Sequence, residues 1–283
     1  MTDELSPVIG LEVHMQLDTD SKLFCSCSTD IEDAEPNVLT CPVCLGHPGT
    51  LPQPNEEALE KAIIATRGIN GKVADKARFD RKHYFYPDLP KGFQITQNEE
   101  PICTDGQIET NDKVIDFQRA HIEEDPGSMT YDGSDIQRAE HTKIDYNRSG
   151  VPLMEFVTAP QIESPEQARQ VVEELIDLMD YMEVIDRSDS SAVRVDANIS
   201  LDGEDGGTSR AEVKNIGSPS EVEDALAYEV VRQKNTVKRG KEQVETTRHW
   251  DESGGVTREL RTKESAEDYR YMREFDIPKI ETF

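Results

Sequence analysis

The chain has 283 residues, of which 35% are hydrophobic and 31% are charged. This composition is typical of a globular protein with a heavily ionised surface, folded as one large domain or two modest ones. Asp and Glu outnumber Lys and Arg by 58 to 31, so the net charge is -27 at pH 7, which argues against a broad basic surface for nucleic acid.

The acidic residues are spread along the whole chain rather than gathered in one tail. At about 1 M salt the Debye length falls to roughly 3 Å, and distant like charges cease to repel. We therefore interpret the charge as adaptation to a salty cytoplasm, in which RNA binding depends on local basic residues or on another polypeptide. The first residues lack a secretory signal, and no run reaches the roughly 18 apolar residues of a membrane span, so we expect a cytoplasmic protein.

Residues 7–17 alternate between apolar and other side chains, which predicts a strand. One face carries the apolar row, and the other carries Gly10, Glu12, His14 and Gln16. Glu12 and His14 would lie side by side at a spacing that suits two ligands of one metal. The alternative is an amphipathic edge strand whose polar face is simply wet.

Four cysteines stand in two short clusters within a loop-rich stretch, at Cys25, Cys27, Cys41 and Cys44. Four thiolates match the tetrahedral coordination of structural zinc, and a loop of this kind gains its order from the metal. Disulfides are the alternative, but they are rare in a cytoplasmic protein. Cys103 stands apart, and we interpret it as a small packing residue.

Three segments have the capping and periodicity of helices. The first runs from Asn55 to Gly68, the second opens with Ser164 and Pro165, and the third runs from Ser220, with Glu223 as its capping partner, to Gly240.

Residues 79–97 interleave basic and aromatic side chains around two prolines. The basic side chains are Arg81, Lys82 and Lys91, and the aromatic neighbours include Tyr84 and Phe93. Basic groups neutralise phosphates while aromatic rings stack on bases, so this segment indicates a contact with a nucleotide or RNA. A packed loop that happens to be aromatic is the alternative.

Residues 119–127 place His121 and three consecutive acids before a Pro-Gly turn. Neighbouring carboxylates repel one another and are hard to bury without a cation. The segment is therefore either a solvated loop or part of a metal site. Glu155 supports the second interpretation, because a lone carboxylate in an apolar strand needs a partner or an ion.

Residues 193–201 again alternate, and one face carries Arg194, Asp196 and Asn198 in a row, a pattern that resembles a phosphate and metal platform. Residues 212–215 add a further polar row that includes Lys214. Strands and helices do not alternate regularly, so we expect an antiparallel α+β fold. The chain contains neither of the common glycine-rich phosphate-binding fingerprints, so a bound ATP would need another kind of site.

Taken together, eight motifs resemble the B subunit of aspartyl/glutamyl-tRNA amidotransferase, from about residue 7 to residue 275. They are Val-Ile-Gly-Leu-Glu-Val-His at 8–14, Glu-Pro-Asn at 35–37, Cys-Leu-Gly-His-Pro-Gly-Thr-Leu-Pro at 44–52, Arg-Lys-His-Tyr-Phe-Tyr-Pro-Asp-Leu-Pro-Lys at 81–91, His-Ile-Glu-Glu-Asp at 121–125, Asp-Tyr-Asn-Arg-Ser-Gly-Val-Pro-Leu-Met-Glu at 145–155, Arg-Val-Asp-Ala-Asn-Ile-Ser at 194–200 and Asp-Tyr-Arg-Tyr at 268–271.

The resemblance implies that this subunit uses ATP to activate the side-chain carboxylate of misacylated Asp-tRNA(Asn) or Glu-tRNA(Gln) as an acyl phosphate. Ammonia from a partner amidase (A) subunit then displaces the phosphate, and a small C subunit ties the heterotrimer together. The implied fold is an antiparallel cradle of the glutamine synthetase and guanidino kinase type, with flanking helices and a small zinc-binding insertion at residues 25–44.

The resemblance also implies site residues. His14, Glu124 and Glu155 would hold the catalytic Mg²⁺, with Glu12 and Asp196 near a second metal position. From their charge and position we add four candidates for phosphate contacts, namely Arg81, Lys82, Arg194 and Lys214. The four-cysteine site resembles one found in part of the family, where it would support stability rather than chemistry.

Family members usually continue into a helical domain and a tail domain that grip the tRNA, and we expect residues 1–283 to form the catalytic cradle without them. Two alternatives stay open. The chain could be a zinc-stabilised scaffold that docks tRNA or the amidase without chemistry, or it could be the related subunit that works only on Glu-tRNA(Gln).

Overall fold

A computed structural model describes residues 5–111, 113–131, 140–189, 192–203, 207–241, 244–262 and 269–282. Residues 1–4, which begin the N-terminal segment that lacks a secretory signal, lie outside these ranges. Asp268 of the last sequence motif also lies outside them. Three helices are described: α1 (Glu56–Gly68), α2 (Pro165–Tyr181) and α3 (Pro219–Lys238). The strands are β1 (Ser6–Gln16), β2 (Lys72–Val73), β3 (Lys76–Ala77), β4 (Asp80–His83), β5 (Phe93–Thr96), β6 (Cys103–Glu109), β7 (Val114–Glu124), β8 (Ser128–Tyr131), β9 (Thr142–Asp145), β10 (Pro152–Thr158), β11 (Val193–Asp202), β12 (Ala211–Ile216), β13 (Thr246–Asp251), β14 (Val256–Thr262), β15 (Met272–Arg273) and β16 (Ile280–Glu281).

A nine-stranded sheet dominates the fold, in the order β14-β13-β12-β11-β1-β10-β7-β6-β2. β1 lies at its centre, so the edge-strand alternative for residues 7–17 is wrong. The apolar row of β1 is buried because α2 packs against it, and α3 packs against α2 and β11. The opposite face of β1 is left to the polar row that contains Glu12 and His14.

The α+β class is confirmed, but the sheet is mixed rather than wholly antiparallel. β12 and β13 pair in parallel, while the other pairings of this sheet are antiparallel. The physical reason is the connection between them, since α3 carries the chain from β12 back to the starting end of β13. Parallel neighbours require such a crossover, whereas a short turn suffices for antiparallel ones.

The predicted helix starts are confirmed for α1 and α2, and the start of α3 is shifted. Asn55 caps α1, and the Ser164 hydroxyl accepts a hydrogen bond from the Gln167 backbone N–H at 3.1 Å. α3 begins two residues earlier than expected, because the capping pair is Ser218 with Glu221. Both Ser218 and Ser220 precede an acid by three residues, and Pro219 favours the earlier start, since proline suits the first helical position.

Glu229 of α3 is a buried carboxylate held in a polar cluster beneath the sheet edge. Its oxygens accept hydrogen bonds from Arg232 and Thr257, and Arg248 lies 3.1 Å away. Burial by itself raises the pKa of Glu229, but Arg232, Thr257 and Arg248 outweigh burial and hold the pKa below its ordinary value. The charge therefore contributes to the stability of the α3 crossover.

The acidic segment at residues 119–124 is the end of β7, so the interpretation as a solvated loop is wrong. Its residues pair with β10 on one side, and His121, Glu123 and Glu124 are all nearly fully buried. Within the described ranges, no helix is both long and apolar enough to cross a membrane.

Candidate metal and phosphate site

Three central strands bring ionisable side chains together across the sheet. In the antiparallel register His14 of β1 lies opposite Glu155 of β10, and Glu155 lies opposite His121 of β7. Directly opposed residues share one face of a sheet. The register therefore creates a row of two imidazoles with a carboxylate between them.

Glu123 completes this group, because it lies two residues after His121 on the same strand. His14 Nε2 is 3.3 Å from an oxygen of Glu155 and 3.7 Å from an oxygen of Glu123. Two ligands of one Mg²⁺, each at about 2.1 Å, lie at most about 4.2 Å apart. One ligand atom from each of these three residues lies within 4.8 Å of the others. The donor set of two carboxylates and one imidazole thus fits a hard divalent cation.

Glu124 does not join His14 and Glu155, contrary to the expectation from sequence. Successive side chains of a strand point to opposite faces, so Glu123 and Glu124 diverge. The Glu124 oxygens lie 2.5 and 2.6 Å from Lys91 Nζ, and the Ile95 backbone N–H donates to the same carboxylate at 2.8 Å. Glu123 takes the position that we had assigned to Glu124.

The electrostatics of the group are those of a site that binds a cation. Burial lowers the pKa of His14, but Glu155, Glu123 and Asp196 outweigh it and raise the pKa to about 9. Burial raises the pKa of Glu155, yet His121 and His14 reverse this effect and bring the pKa well below its ordinary value. In the absence of a metal, protonated imidazole therefore compensates the carboxylates.

A second acidic group lies next to the first on the same face. It consists of Glu12, Asp196 and Glu212, whose ligand oxygens lie within 4.8 Å of one another. Glu12 and Asp196 are opposed in the register of β1 and β11, and Glu212 comes from β12. Lys214 Nζ lies 2.7 Å from Asp196 and 3.2 Å from Glu212.

The charge of this second group is only partly balanced. Burial, together with Glu155 and Asp196, raises the pKa of Glu12. Burial also raises the pKa of Asp196, but Lys214 outweighs it and lowers the pKa. Three carboxylates and one ammonium leave excess negative charge, and an all-oxygen donor set is the kind that Mg²⁺ prefers.

Three of the four predicted phosphate contacts lie beside these acids. Lys214 is within the second group, and Arg194 lies opposite His14 in the register of β1 and β11. Burial lowers the pKa of Lys82, but Glu123, Tyr271 and Glu155 outweigh it and raise the pKa. Lys82 Nζ lies 4.7 Å from the centroid of the Tyr269 ring, and the charges of Glu123 and Glu155 stabilise the Lys82 ammonium.

Arg81 is the exception, because its side chain points to the face of β4 opposite that of Lys82. Its guanidinium forms a bidentate pair with Glu274 at 2.7 and 2.9 Å and contacts Asp276 at 3.2 Å. It thereby ties β4 to the segment after β15. Arg81 and Lys82 are adjacent on a strand, so only one of them can face the acidic groups.

The four cysteines of the 25–44 loop converge. Their sulfur atoms all lie within 4.8 Å of one another, and all four thiols are free. Cys41 Sγ and Cys44 Sγ are 3.9 Å apart, close to the separation of about 3.8 Å that a tetrahedral site with Zn–S bonds of about 2.3 Å requires. The cluster fits a tetrahedral metal with no open coordination position.

Two cavities border these groups. One of about 200 Å³ opens beside Glu12 and is lined by polar side chains that include Gln118, Asn198 and Arg210. The other, of about 250 Å³, lies between the cysteine loop and the Lys91–Glu124 pair. Of these two cavities, only the one beside Glu12 adjoins one of the two acidic groups. It is therefore the better candidate to hold a ligand that reaches the metal-binding side chains.

Sequence reasoning missed His121, Glu123 and Glu212 as members of the site. For Glu123 a signal was available, because a period of two that starts at His121 selects residue 123 and not residue 124. Glu212 stood in a recognised polar row, but its approach to Glu12 depends on the pairing of β12 with β11.

Comparison with known proteins identifies the family. Residues 7–282 match the GatB/GatE catalytic domain. The chain belongs to this family. A GatB/GatE catalytic domain therefore accounts for nearly all of the sequence, including both acidic groups and the cysteine loop.

Similar proteins are named as the B subunit of aspartyl/glutamyl-tRNA(Asn/Gln) amidotransferase. The one from Halobacterium salinarum is 49% identical over 98% of this chain, and the one from Methanosarcina barkeri is 50% identical over 95%. These matches cover 60% and 54% of the two relatives. The GatB/GatE chain thus spans somewhat more than half of their length.

Proposed function

We propose that this chain is the activating half-site of a glutamine-hydrolysing aminoacyl-tRNA amidotransferase, a ligase of protein biosynthesis. It transfers the γ-phosphoryl group of ATP to the side-chain carboxylate of misacylated Asp-tRNA(Asn) or Glu-tRNA(Gln), with ADP as the leaving group. Ammonia from a partner glutaminase subunit then attacks the acyl carbon and displaces inorganic phosphate. The observation that carries this proposal is the pair of acidic groups on one face of the central sheet.

Phosphoryl transfer to a carboxylate brings several anions together, so it is mainly a matter of positioning and charge neutralisation. A bound Mg²⁺ would supply positive charge that offsets the repulsion between the phosphates and the attacking carboxylate. His14, Glu123 and Glu155 would hold one ion, and Glu12, Asp196 and Glu212 a second. Lys82, Arg194 and Lys214 surround these groups and orient the phosphates through their own charges.

Further parts of the proposal follow from the family. The sheet and its helices form a cradle of the glutamine synthetase and guanidino kinase type. The four cysteines hold a structural Zn²⁺. The chain works in the cytoplasm with an amidase (A) subunit and a small C subunit. Residues 1–283 supply the catalytic cradle, which is distinct from the helical and tail domains that grip the tRNA in family members.

The test combines catalysis with metal binding in the assembled enzyme. Glu123→Gln and Glu124→Gln are a matched pair, because the residues are adjacent, isosteric and equally buried. We expect Glu123→Gln to weaken Mn²⁺ binding, measured by electron paramagnetic resonance, by at least tenfold, and Glu124→Gln to leave it within about twofold. Equal Mn²⁺ affinity in both variants and the wild type would refute the metal site.

Transamidation of misacylated tRNA, with the partner subunits present, tests the chemistry. We expect Glu155→Gln to abolish acyl phosphate formation while tRNA binding persists. Full activity of this variant would exclude the activating role. A wild-type assembly that binds tRNA and amidase but consumes no ATP would instead establish the scaffold alternative.

A further inference from the structure

Lys22 is a lysine in an unusual environment. Its side chain is fully buried, although it lies between β1 and the cysteine loop, where a long charged side chain would normally reach solvent. The ammonium donates to the Leu39 carbonyl oxygen at 2.8 Å, the Tyr146 carbonyl oxygen at 3.3 Å and Cys44 Sγ at 3.8 Å. Three donors therefore meet three acceptors, which is the full capacity of an ammonium group.

None of these three partners is a carboxylate, although acids make up so much of the chain. A buried ammonium without a compensating anion is strongly unfavourable. The group in contact that can carry negative charge is Cys44, one of four clustered cysteines. Four thiolates around one Zn²⁺ carry a net charge of -2, and hydrogen-bond partners of metal ligands orient the ligands and tune the metal.

We propose that Lys22 is a positioning residue of the four-cysteine centre, which donates a charge-assisted hydrogen bond to Cys44 and compensates the negative charge of the metal-bound thiolates. The centre and the lysine stabilise each other. The metal-loaded thiolates provide the anion that the buried ammonium needs, and the ammonium stabilises Cys44 in the form that binds metal.

The other two acceptors extend this role beyond the cysteines. Leu39 belongs to the cysteine loop, whereas Tyr146 belongs to the segment that leads to the acidic site. The same two segments are joined by the Leu39 backbone N–H, which donates to Asn147 Oδ1 at 2.8 Å, and the Tyr146 backbone N–H, which donates to Asn37 Oδ1 at 2.8 Å. Lys22 therefore couples metal binding to the docking of the loop.

The segment next to Tyr146 in turn supports the acidic site. Arg148 Nε lies 3.3 Å from Asp125, and Asp125 also pairs with Arg194 at 3.3 Å. The Gly150 backbone N–H donates to the Asp125 carbonyl oxygen. Loss of the centre should therefore loosen the support of Arg194, although the cysteines themselves do no chemistry.

The experiment compares the wild type with Lys22→Met, which keeps an unbranched side chain only one atom shorter and removes the charge. Lys72→Met is the control, because Lys72 is exposed on β2. Zinc affinity of the full chain is measured by competition with a chromophoric chelator. We expect Lys22→Met to bind zinc about 10- to 100-fold more weakly, and Lys72→Met to match the wild type.

A second measurement separates positioning from simple packing. The stability of each variant to urea is compared with zinc and with chelator. If Lys22 only fills space, the substitution destabilises both states equally and leaves zinc affinity within about threefold, a result that would overturn the proposal. If Lys22 acts on the four-cysteine centre, the stabilisation that the folded protein gains from zinc falls by about 1.4 kcal/mol for each tenfold loss of zinc affinity.

The wild type provides a test that does not require a folded variant. In protein labelled with ¹⁵N-lysine and loaded with ¹¹³Cd²⁺, the buried Lys22 ammonium should give a slowly exchanging signal that shifts when the metal is removed. Amide exchange at Leu39 and Tyr146 should accelerate at the same time. No shift in the Lys22 signal on removal of the metal would overturn the proposal, even if Lys22→Met fails to fold.

Discussion

Replacement of Lys91 by methionine tests the structural role of Glu124 directly. Lys91 Nζ lies 2.5 and 2.6 Å from the two oxygens of Glu124, and the side chains are only 10% and 6% exposed. At an effective dielectric constant of about 20, unit charges this close attract by about 6 kcal/mol before desolvation is counted. Much of this attraction offsets the cost of burying both ions.

The expected loss of folding stability follows from the Glu124 charge that remains without its partner. Lys91→Met leaves the buried Glu124 carboxylate with the Ile95 backbone N–H as its remaining donor among the described residues, and breaking a buried pair in this way costs about 3–5 kcal/mol. The double variant Lys91→Met with Glu124→Gln removes the unpaired charge as well, so it should be more stable than Lys91→Met alone.

Urea unfolding at fixed pH and salt, followed by far-UV circular dichroism, measures both values. A loss below about 1 kcal/mol for Lys91→Met would refute the reasoning, because it would mean that Glu124 has another cation or is solvated. A double variant that is less stable than Lys91→Met would refute it too, since the remaining charge could not then be the cause.

Three further predictions concern the framework of the site. Glu229→Gln should cost about 2–4 kcal/mol of stability at pH 7. Because the folded pKa of Glu229 is depressed, its charge stabilises the fold above the unfolded pKa of about 4.3, and this gain is lost as pH falls through the lower folded pKa. Urea titrations at a series of pH values should therefore show a smaller loss of stability towards acid pH in the variant than in the wild type. Phe156→Ala should cost about 3–5 kcal/mol in urea unfolding because the ring is fully buried in β10, whereas Phe85→Ala, at a ring that is 92% exposed, should change stability by less than about 0.5 kcal/mol. Ser164→Ala should cost about 1 kcal/mol through loss of the α2 cap, and an unchanged melting temperature would contradict that role.

Local patterns in the sequence were sufficient wherever the deciding interactions are local. The period of two in residues 7–17 assigned Glu12 and His14 to one face, and the capping residues of α1 and α2 marked their starts. The spacing of the four cysteines indicated their convergence for the same reason, since a short loop can bring its own thiols together without help from the rest of the fold.

The tertiary structure decided which strands are neighbours and in which register they pair. That His14 lies opposite Glu155, and Glu155 opposite His121, follows from long-range pairing that no segment encodes alone. The crossover through α3 likewise made β12 and β13 parallel, and the pairing of β12 with β11 brought Glu212 to Glu12. A single residue of register reverses every side chain of a strand. The period of two groups Glu123 with His121, but only the assembled sheet shows that this face meets His14 and Glu155.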